Sequence, residues 1–347
     1  MKIISIVGTR PQFLKLAPLS NYIKESTDIN HIIIHTGQHY DDEMSEQIFN
    51  VLNIPRPDYS LEREDGSSRT QYLSYMMVMI EKIFKKEKPD KVIVFGDCDT
   101  TLAGALVSNM MDIYLIHIES GMRSYRRTMP EEVNRVLTDQ LSNIRLCSTK
   151  YSLENLNKEM LTENNHYVGN LQHELLKLVL QKYKNESILK KYNLTKNNFV
   201  LCTIHRNYNT TKERLEKIAN VLGQLNKPIL FPIHPRTKNK MKEFNLTFSE
   251  NVILIKPLNY FDLVICEKNC EFIMTDSGGI QAESFFLRKK TIVLRDETEW
   301  IDAISANNNI LINWEGNLLK FIKDFLEVKI EKYEFIDNVS ERIIDLI

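Results

Sequence analysis

Three acidic residues stand where strand-like apolar runs end or helices begin. Asp97 follows the run 91–95, Glu119 follows the run 114–118, and Glu131 opens a helical segment. The carboxyl ends of parallel strands meet at one edge of a sheet, so we expect these carboxylates to lie close together. Taken singly, each acid also fits a helix N-terminus. Together they predict proton transfer, because moving a C–H proton from one face of a carbon to the other requires two acid/base groups.

His117 and Glu119 are two positions apart, and strand alternation places both side chains on one face of the sheet. Such a pair suggests a metal site, but a structural zinc requires more ligands than these two. The sequence therefore predicts no metal, and we interpret Glu119 as a proton-transfer residue.

A second set of residues is suited to phosphate. Arg10 follows Gly8 at a strand–helix turn, with Lys15 about one helical turn further, and helix N-termini bind anions. In the second half we expect a diphosphate cradle at Ser277, Gly278 and Gly279, where a helix begins with bare N–H groups. The other candidates there are His205, His234 and Arg236 for phosphate, and Glu283 for ribose hydroxyls.

Short apolar runs alternate with helical periodicity along the chain, which is typical of an α/β fold with parallel sheets. The predicted strands are 3–7, 31–35, 91–95, 114–118 and 144–147, then 199–203, 229–232, 252–255, 272–275 and 291–294. Helical spacing is clearest over 11–26 and 68–86. This pattern predicts a doubly wound sheet in each half, a cleft between them, and a linker in the polar stretch 181–198.

The composition narrows the class of protein. Its 347 residues are enough for two domains, and 45 basic against 46 acidic residues argue against nucleic-acid or anionic-membrane binding. Five scattered cysteines and no signal-like or membrane-spanning run predict a cytoplasmic location. The pattern G-x-G-x-x-G does not occur, so a tightly bound dinucleotide is not expected.

Eight motifs follow one another in an order that resembles the non-hydrolysing UDP-N-acetylglucosamine 2-epimerase family, from residue 1 to about residue 302. They are GTRPQFLKLAPL, HTGQHYD, VFGDCDTTLAGALV, HIESGMRS, MPEEVNRVLTD, HRNYN, HPRTK and TDSGGIQAES. The resemblance implies a GT-B fold, with two Rossmann-like doubly wound domains and an inter-domain cleft. It also implies a homodimer, no cofactor, and a UDP-linked N-acetylhexosamine as substrate. We place the domains at 1–170 and 171–330, with a C-terminal helix in 331–347 returning to the first.

The implied reaction interconverts UDP-N-acetylglucosamine and UDP-N-acetylmannosamine for surface polysaccharide precursors. UDP is eliminated to give 2-acetamidoglucal and then added back. The resemblance assigns acid/base roles to Asp97, Glu119 and Glu131, electrostatic support to Arg10, Lys15, Arg135 and His205, and UDP binding to Ser277, Gly278 and Glu283.

Four positions depart from the family pattern: Gln12, Asp41, Tyr208 and Trp300. Gln12 and the sequence Glu299-Trp300 resemble instead a branch that epimerises UDP-2,3-diacetamido-2,3-dideoxyglucuronate. That substrate, and a hydrolysing 2-epimerase, stay open as alternatives. A GT-B glycosyltransferase is the alternative of another class; the three acids argue against it, because glycosyl transfer moves no proton at carbon 2.

Overall fold

The computed structural model describes residues 1–37, 51–62 and 66–347. Contacts divide the chain into two compact units, Met1–Leu178 with Phe335–Ile347, and Val179–Glu334. We call them the first and the second unit and describe each by itself. The division falls at 178 and 334, against the predicted limits of 170 and 330. Asp41 and the end of its HTGQHYD motif lie outside the described residues.

The described residues of the first unit form a parallel sheet with the strand order β3-β2-β1-β4-β5-β6-β7. The strands are β1 Lys2–Val7, β2 Asn30–His35, β3 Tyr59–Ser60, β4 Lys91–Phe95, β5 Tyr114–Ser120, β6 Ile144–Cys147 and β7 Asn165–Tyr167. The five predicted strands are confirmed. Two short strands, β3 and β7, were missed because they contain no aliphatic side chain and so form no apolar run.

Helices connect these strands, and local signals fix where several of them begin. They are α1 Arg10–Ser26, α2 Arg69–Glu87, α3 Asp99–Met110, α4 Pro130–Leu141, α5 Lys150–Lys158 and α6 Leu171–Lys182. A capping box of Thr9 and Gln12 starts α1, and Ser68 Oγ accepts the Gln71 N–H at 3.2 Å to start α2. Proline at the first position starts α4, where no backbone donor is needed. The helices α1, α3, α5 and α6 begin three or four residues after a strand ends, whereas longer loops precede α2 and α4.

The second unit contains another parallel sheet, with the order β10-β9-β8-β11-β12-β13. Its strands are β8 Val200–Thr203, β9 Ile229–Pro232, β10 Val252–Ile255, β11 Phe272–Thr275, β12 Thr291–Val293 and β13 Asn309–Leu311. Its helices are α7 Ser187–Lys191, α8 Lys212–Gly223, α9 Pro235–Glu243, α10 Tyr260–Asn269, α11 Gly278–Phe286, α12 Ile301–Ser305 and α13 Leu318–Glu327, with a 3₁₀ turn at Asn207–Thr210. The five predicted strands are again confirmed, and the short β13 was missed.

The stretch 181–198 is not the linker that its polarity predicted. It contains α7, whose Ile188 and Leu189 are buried, and Leu194 is buried after it. These side chains join the core of the second unit beside Phe199. The prediction was wrong because the few apolar residues among the lysines and asparagines decide the packing.

The C-terminal helix, α14 Val339–Asp345, packs against α1 in the first unit. The Ser340 backbone N–H and Oγ each donate to Glu174 Oε2 at 2.9 Å, and Ile343 is buried. Across 1–37, 51–62 and 66–347, no helix combines the length and the apolar character that crossing a bilayer requires.

Candidate active site

The first unit places predicted site residues at the neighbouring carboxyl ends of β1, β4 and β5. Arg10 begins α1 after β1 and is partly exposed, Asp97 follows β4, and Glu119 lies at the end of β5. The strand order therefore brings one cation and two carboxylates to a single sheet edge.

Lys15 and Glu119 form a nearly buried ion pair. Lys15 Nζ lies 2.7 and 2.6 Å from the two Glu119 carboxylate oxygens. The side chains are 13% and 11% exposed, so little water competes with the pair. Lys15 therefore fixes the position of the Glu119 carboxylate.

The backbone of Glu119 has a left-handed conformation, with φ +68°. The pairing of β5 with β6 shifts register between Ile118 and Ser120, which marks a bulge at Glu119. The predicted common face of His117 and Glu119 is therefore wrong, because a bulge interrupts the strand alternation. A non-glycine residue in this region costs about 1–2 kcal/mol, and such strain is often found at functional sites.

Asp97 pairs with Arg135, which extends from α4. The Asp97 side chain is 37% exposed and the Arg135 side chain is 5% exposed. The carboxylate is therefore accessible to solvent, while the cation that pairs with it is buried. Asn134 Nδ2 donates to the Asp97 carbonyl oxygen at 2.9 Å and holds the backbone there. Glu131 lies partly buried in the first turn of the same helix. The pKa of Arg69 is raised chiefly by the hydrogen bond that Arg69 donates to Asp99, and the charge of Glu131 contributes less.

In the second unit, a buried aspartate holds the loop that follows β8. Asp276 accepts the backbone N–H groups of His205 and Arg206 at 3.0 and 2.9 Å, and Asn209 Nδ2 at 3.0 Å. His205 Nδ1 lies 2.8 Å from Asp276 Oδ1. Burial would raise the pKa of Asp276, but the hydrogen bond and charge of His205 lower it below its ordinary value. The His205 ring is therefore fixed by one nitrogen.

Two more predicted phosphate-binding residues lie beside His205. The rings of His205 and His234 are 5.9 Å apart, and Arg236 Nη1 donates to the His205 carbonyl oxygen at 2.7 Å. Burial, followed by the charges of His205 and Arg236, lowers the pKa of His234. His234 is the N-cap of α9 and accepts the Arg236 N–H at 3.2 Å. The loops after β8 and β9 thus form one polar cluster.

The predicted diphosphate cradle lies at the start of α11. Ser277 is the N-cap and accepts the Ile280 N–H at 3.4 Å, so Gly278 and Gly279 form the first turn. A Cβ atom on Gly278 would lie 2.9 Å from Glu299 Oε1, so a side chain there would require the Glu299 side chain to move. First-turn N–H groups carry the positive end of the helix dipole.

Glu283 lies further along α11 and is 3% exposed. It faces Glu267 of α10, which is completely buried. Burial and the Glu283 charge raise the pKa of Glu267 well above its ordinary value. In the part of the chain that the structure describes, no group of three or more His, Cys, Asp or Glu side chains is placed to hold a metal ion.

Comparison with known proteins decides the family. The model of the UDP-N-acetylglucosamine 2-epimerases matches residues 21–347. The chain belongs to this family. As family members are epimerases, it is an isomerase.

Three proteins illustrate the family likeness. The chain is 43% identical over 319 residues to a UDP-N-acetylglucosamine 2-epimerase homolog of Methanococcus maripaludis, covering 90% of this chain and 88% of the relative. It is 37% identical over 319 residues to the UDP-2,3-diacetamido-2,3-dideoxy-D-glucuronate 2-epimerase of Pseudomonas aeruginosa, with the same coverages. It matches the crystal structure of Methanocaldococcus jannaschii UDP-GlcNAc 2-epimerase in complex with UDP-GlcNAc and UDP with a TM-score of 0.86 and 37% identity, covering 100% and 99% of the two chains. The predicted family and GT-B fold class are confirmed.

Sequence reasoning did not identify Asp276 as a residue of these epimerase-family sites. Asp276 belongs to the TDSGG motif, yet only its position beside the Ser277 cap hinted at a role.

The structure also shows what two of the departures from the family pattern do. Gln12 donates from Nε2 to the Phe95 carbonyl oxygen at 2.5 Å and to Thr101 Oγ1 at 2.9 Å, which a carboxylate cannot do. Trp300 is buried against Phe286, with ring centroids 6.2 Å apart, so this departure from the family pattern serves packing.

Proposed function

We propose that this chain interconverts UDP-N-acetylglucosamine and UDP-N-acetylmannosamine without hydrolysis. The observation that carries the proposal is the pair of carboxylates at the ends of adjacent strands, each held by its own cation: Glu119 by Lys15 and Asp97 by Arg135. Two separately held carboxylates suit proton removal at one face of carbon 2 and proton return at the other.

The proposed chemistry balances without a cofactor. A carboxylate removes the proton at carbon 2, the electron pair forms the double bond between carbons 1 and 2, and the bond from carbon 1 to UDP breaks. The intermediate is 2-acetamidoglucal. UDP then adds back to carbon 1 while carbon 2 receives a proton on the opposite face. Asp97, Glu119 and Glu131 are the acid/base candidates, and Arg10 and Arg135 supply positive charge.

The second unit is proposed to bind the nucleotide. The first turn of α11, from Ser277 through Gly279, suits the diphosphate, and the departing UDP is stabilised by positive charge already in place. Arg236 supplies that charge, and the rings of His205 and His234 lie beside it as further candidates for phosphate contacts. Glu283 is proposed to accept the ribose hydroxyls.

Proton NMR in deuterated water tests the proposal directly. The wild-type protein is incubated with UDP-N-acetylglucosamine. We expect deuterium at carbon 2 and a new UDP-N-acetylmannosamine signal. Free N-acetylmannosamine with UDP would indicate the hydrolysing reaction instead, and an unchanged spectrum would reject this substrate.

A second substrate is favoured by one observation. The P. aeruginosa relative named for UDP-2,3-diacetamido-2,3-dideoxy-D-glucuronate covers 90% of this chain, and Gln12 and Glu299-Trp300 resemble that branch. The same NMR assay with the uronate decides between the two substrates. Epimerisation of the uronate alone would replace our first choice.

We also propose a cytoplasmic homodimer that serves surface polysaccharide synthesis. Tyr75 and Val78 on α2, and Leu137 on α4, are exposed apolar side chains that a second copy would cover. All five cysteines are free thiols, which fits a reducing compartment. Sedimentation of the wild type and of Val78→Glu tests the dimer, which the charged variant should weaken.

A further inference from the structure

A buried polar network lies behind Glu119 in the first unit. Its centre is Asp139 on α4, which is 0% exposed. His117 on β5 and Arg123 are also buried, and both bond to Asp139. Arg123 extends the network to Glu159 through two bonds of 2.7 Å. The network therefore reaches from the site strand to the end of α5.

The two carboxylate oxygens of Asp139 bind both sides of Glu119. His117 Nδ1 donates to Asp139 Oδ1 at 2.7 Å, two residues before Glu119. The backbone N–H of Gly121 donates to Asp139 Oδ2 at 3.1 Å, two residues after it. One side chain on a different element thus fastens both ends of the bulge.

The bulge requires such fastening. Glu119 has φ +68°, a conformation that non-glycine residues adopt only where their surroundings enforce it. Ser120 Oγ adds a local bond to the His117 carbonyl oxygen at 2.7 Å. If the turn relaxed to regular strand alternation, the Glu119 side chain would change faces and leave Lys15.

The same network also reaches the neighbouring strand. His117 Nε2 donates to the Gly96 carbonyl oxygen at 2.8 Å, next to Asp97. Both ring nitrogens of His117 thus face oxygen atoms of the protein. Burial would raise the pKa of Asp139, but His117 and Arg123 outweigh it and lower the pKa. An ionised Asp139 is therefore consistent with all of these contacts.

We propose that Asp139 is a positioning residue for the epimerisation: it holds the 117–121 turn so that Glu119 points at the reacting carbon. The inference rests on the proposed function. Asp139 itself does not touch the substrate, and it acts through Glu119. We call the segment 117–121 the Glu119 turn.

The test is Asp139→Asn in the full-length protein. An amide keeps the size of the side chain but cannot accept at both ends, so one anchor of the Glu119 turn is lost. We expect the rate of deuterium incorporation at carbon 2 to fall about 10- to 100-fold, because small displacements of a catalytic group have effects of this size. KM for the UDP-sugar and Kd for UDP should change by less than about twofold, since nucleotide binding is assigned to the other unit.

The matched control is Glu159→Gln. It makes the same carboxylate-to-amide change in the same network, but the bonds described for the Glu159 side chain go to Arg123 rather than to the Glu119 turn. The exchange rate should stay within about twofold of wild type. An equal loss of rate in both variants would show a general effect on folding and overturn the positioning role.

A double-mutant cycle separates this inference from the proposed function. If Asp139 acts through Glu119, Asp139→Asn should have little further effect in a Glu119→Gln background. An active wild type and an inactive Glu119→Gln, with Asp139→Asn as fast as wild type, would overturn the inference alone. An inactive wild type, or a fully active Glu119→Gln, would overturn the proposed role of Glu119 first.

His117→Gln replaces Asp139→Asn if the latter does not fold. It removes one of the same two anchors and leaves the bond of Gly121 in place. We expect a smaller loss, about 3- to 10-fold in exchange rate, with unchanged UDP affinity. A normal exchange rate in a folded His117→Gln protein would contradict the proposal.

Discussion

Each unit holds a histidine against a fully buried aspartate, and the two pairs differ in the exposure of the imidazole. His117 and Asp139 are both 0% exposed, whereas the His205 side chain is 33% exposed beside a 0% exposed Asp276. In both pairs the aspartate also accepts backbone N–H groups of the loop that carries the histidine. The same two residue types thus form a closed contact in one unit and an open one in the other.

Burial of the imidazole therefore decides whether the histidine positions its neighbours or remains accessible to a ligand. The closed pair uses both imidazole nitrogens within the protein, so it can only position its neighbours. The open pair fixes His205 by Nδ1 and leaves part of the ring accessible, an arrangement suited to binding an anion. We therefore expect Asp139 to affect proton transfer and Asp276 to affect nucleotide binding.

The largest effect is expected at the exposed carboxylate of the first unit. Asp97→Asn keeps the shape of the side chain but removes the carboxylate that Arg135 holds and that we propose as an acid/base group. Turnover should fall at least ~10³-fold while UDP affinity stays within about twofold. Deuterium incorporation and calorimetric titration with UDP measure these two quantities. A loss of UDP affinity as large as the loss of turnover would place Asp97 in nucleotide binding instead.

Asp112→Asn is the matched control for that variant. Asp112 is an exposed carboxylate of the same unit, and its left-handed backbone, φ +54°, is one that asparagine also adopts. Both measurements should match wild type.

The next effect in size tests the open pair. Asp276→Asn cannot accept from His205, Arg206 and Asn209 together, so the loop after β8 loses its fixed position. We expect Kd for UDP to rise about 10- to 100-fold, whereas Asp139→Asn leaves it unchanged. Titration of both variants checks the contrast. If the two aspartate variants weakened UDP binding equally, the division of roles between the pairs would be wrong.

Glu283→Gln should weaken UDP binding less, about tenfold, and should also stabilise the fold. Its charge contributes to the raised pKa of buried Glu267. Because the pKa of Glu267 is raised in the folded protein, Glu267 contributes fully to stability only below the ordinary pKa of glutamate. This contribution is lost as the pH rises above that value. The variant should therefore unfold at higher urea than wild type at pH 7, with a smaller difference at pH 4. Unchanged UDP affinity would count against the cradle.

Glu267→Gln is the control for this prediction. It relieves the same buried repulsion without removing Glu283, so it should gain stability and keep its UDP affinity. A matching loss of UDP affinity would show that Glu267, and not Glu283 alone, shapes the nucleotide site.

Sequence reasoning located the sheets because parallel strands are buried on both faces and read as apolar runs. The ends of those runs then placed Asp97, Glu119 and His205 at sheet edges. The short strands β3 and β7 contain no aliphatic side chain and gave no such signal. The bulge at Glu119 was hidden for another reason: no glycine or proline in the strand marks it, and its support comes from a different helix.

The two buried aspartates were missed because their partners are distant in the chain. Asp139 lies 22 residues from His117, and Asp276 lies 71 residues from His205. An aspartate within a helix or before a cap reads locally as an ordinary helix residue. Only the packed fold identifies which loop each carboxylate holds.

A third histidine, His35, extends the comparison to a buried imidazole that accepts a backbone N–H. Its Nδ1 accepts the Gly37 N–H at 3.0 Å, so this ring is held in its neutral form. Burial lowers the pKa of His35 to about 4. The three histidines thus show a closed contact with a carboxylate, an open one, and a neutral acceptor of a backbone N–H.

His35 is expected to affect the free energy of unfolding rather than turnover or UDP affinity. In the unfolded chain His35 gains a proton below about pH 6.5, whereas in the folded protein it does so only near pH 4. Stability should therefore fall by about 2 kcal/mol between pH 7 and pH 5 on this account. His35→Asn places an oxygen where Nδ1 accepts and does not titrate, so urea unfolding of the variant should lose that part of the pH dependence. An identical pH dependence in both proteins would mean that the pKa of His35 is the same in the folded and the unfolded protein, and that burial alone does not keep this imidazole neutral.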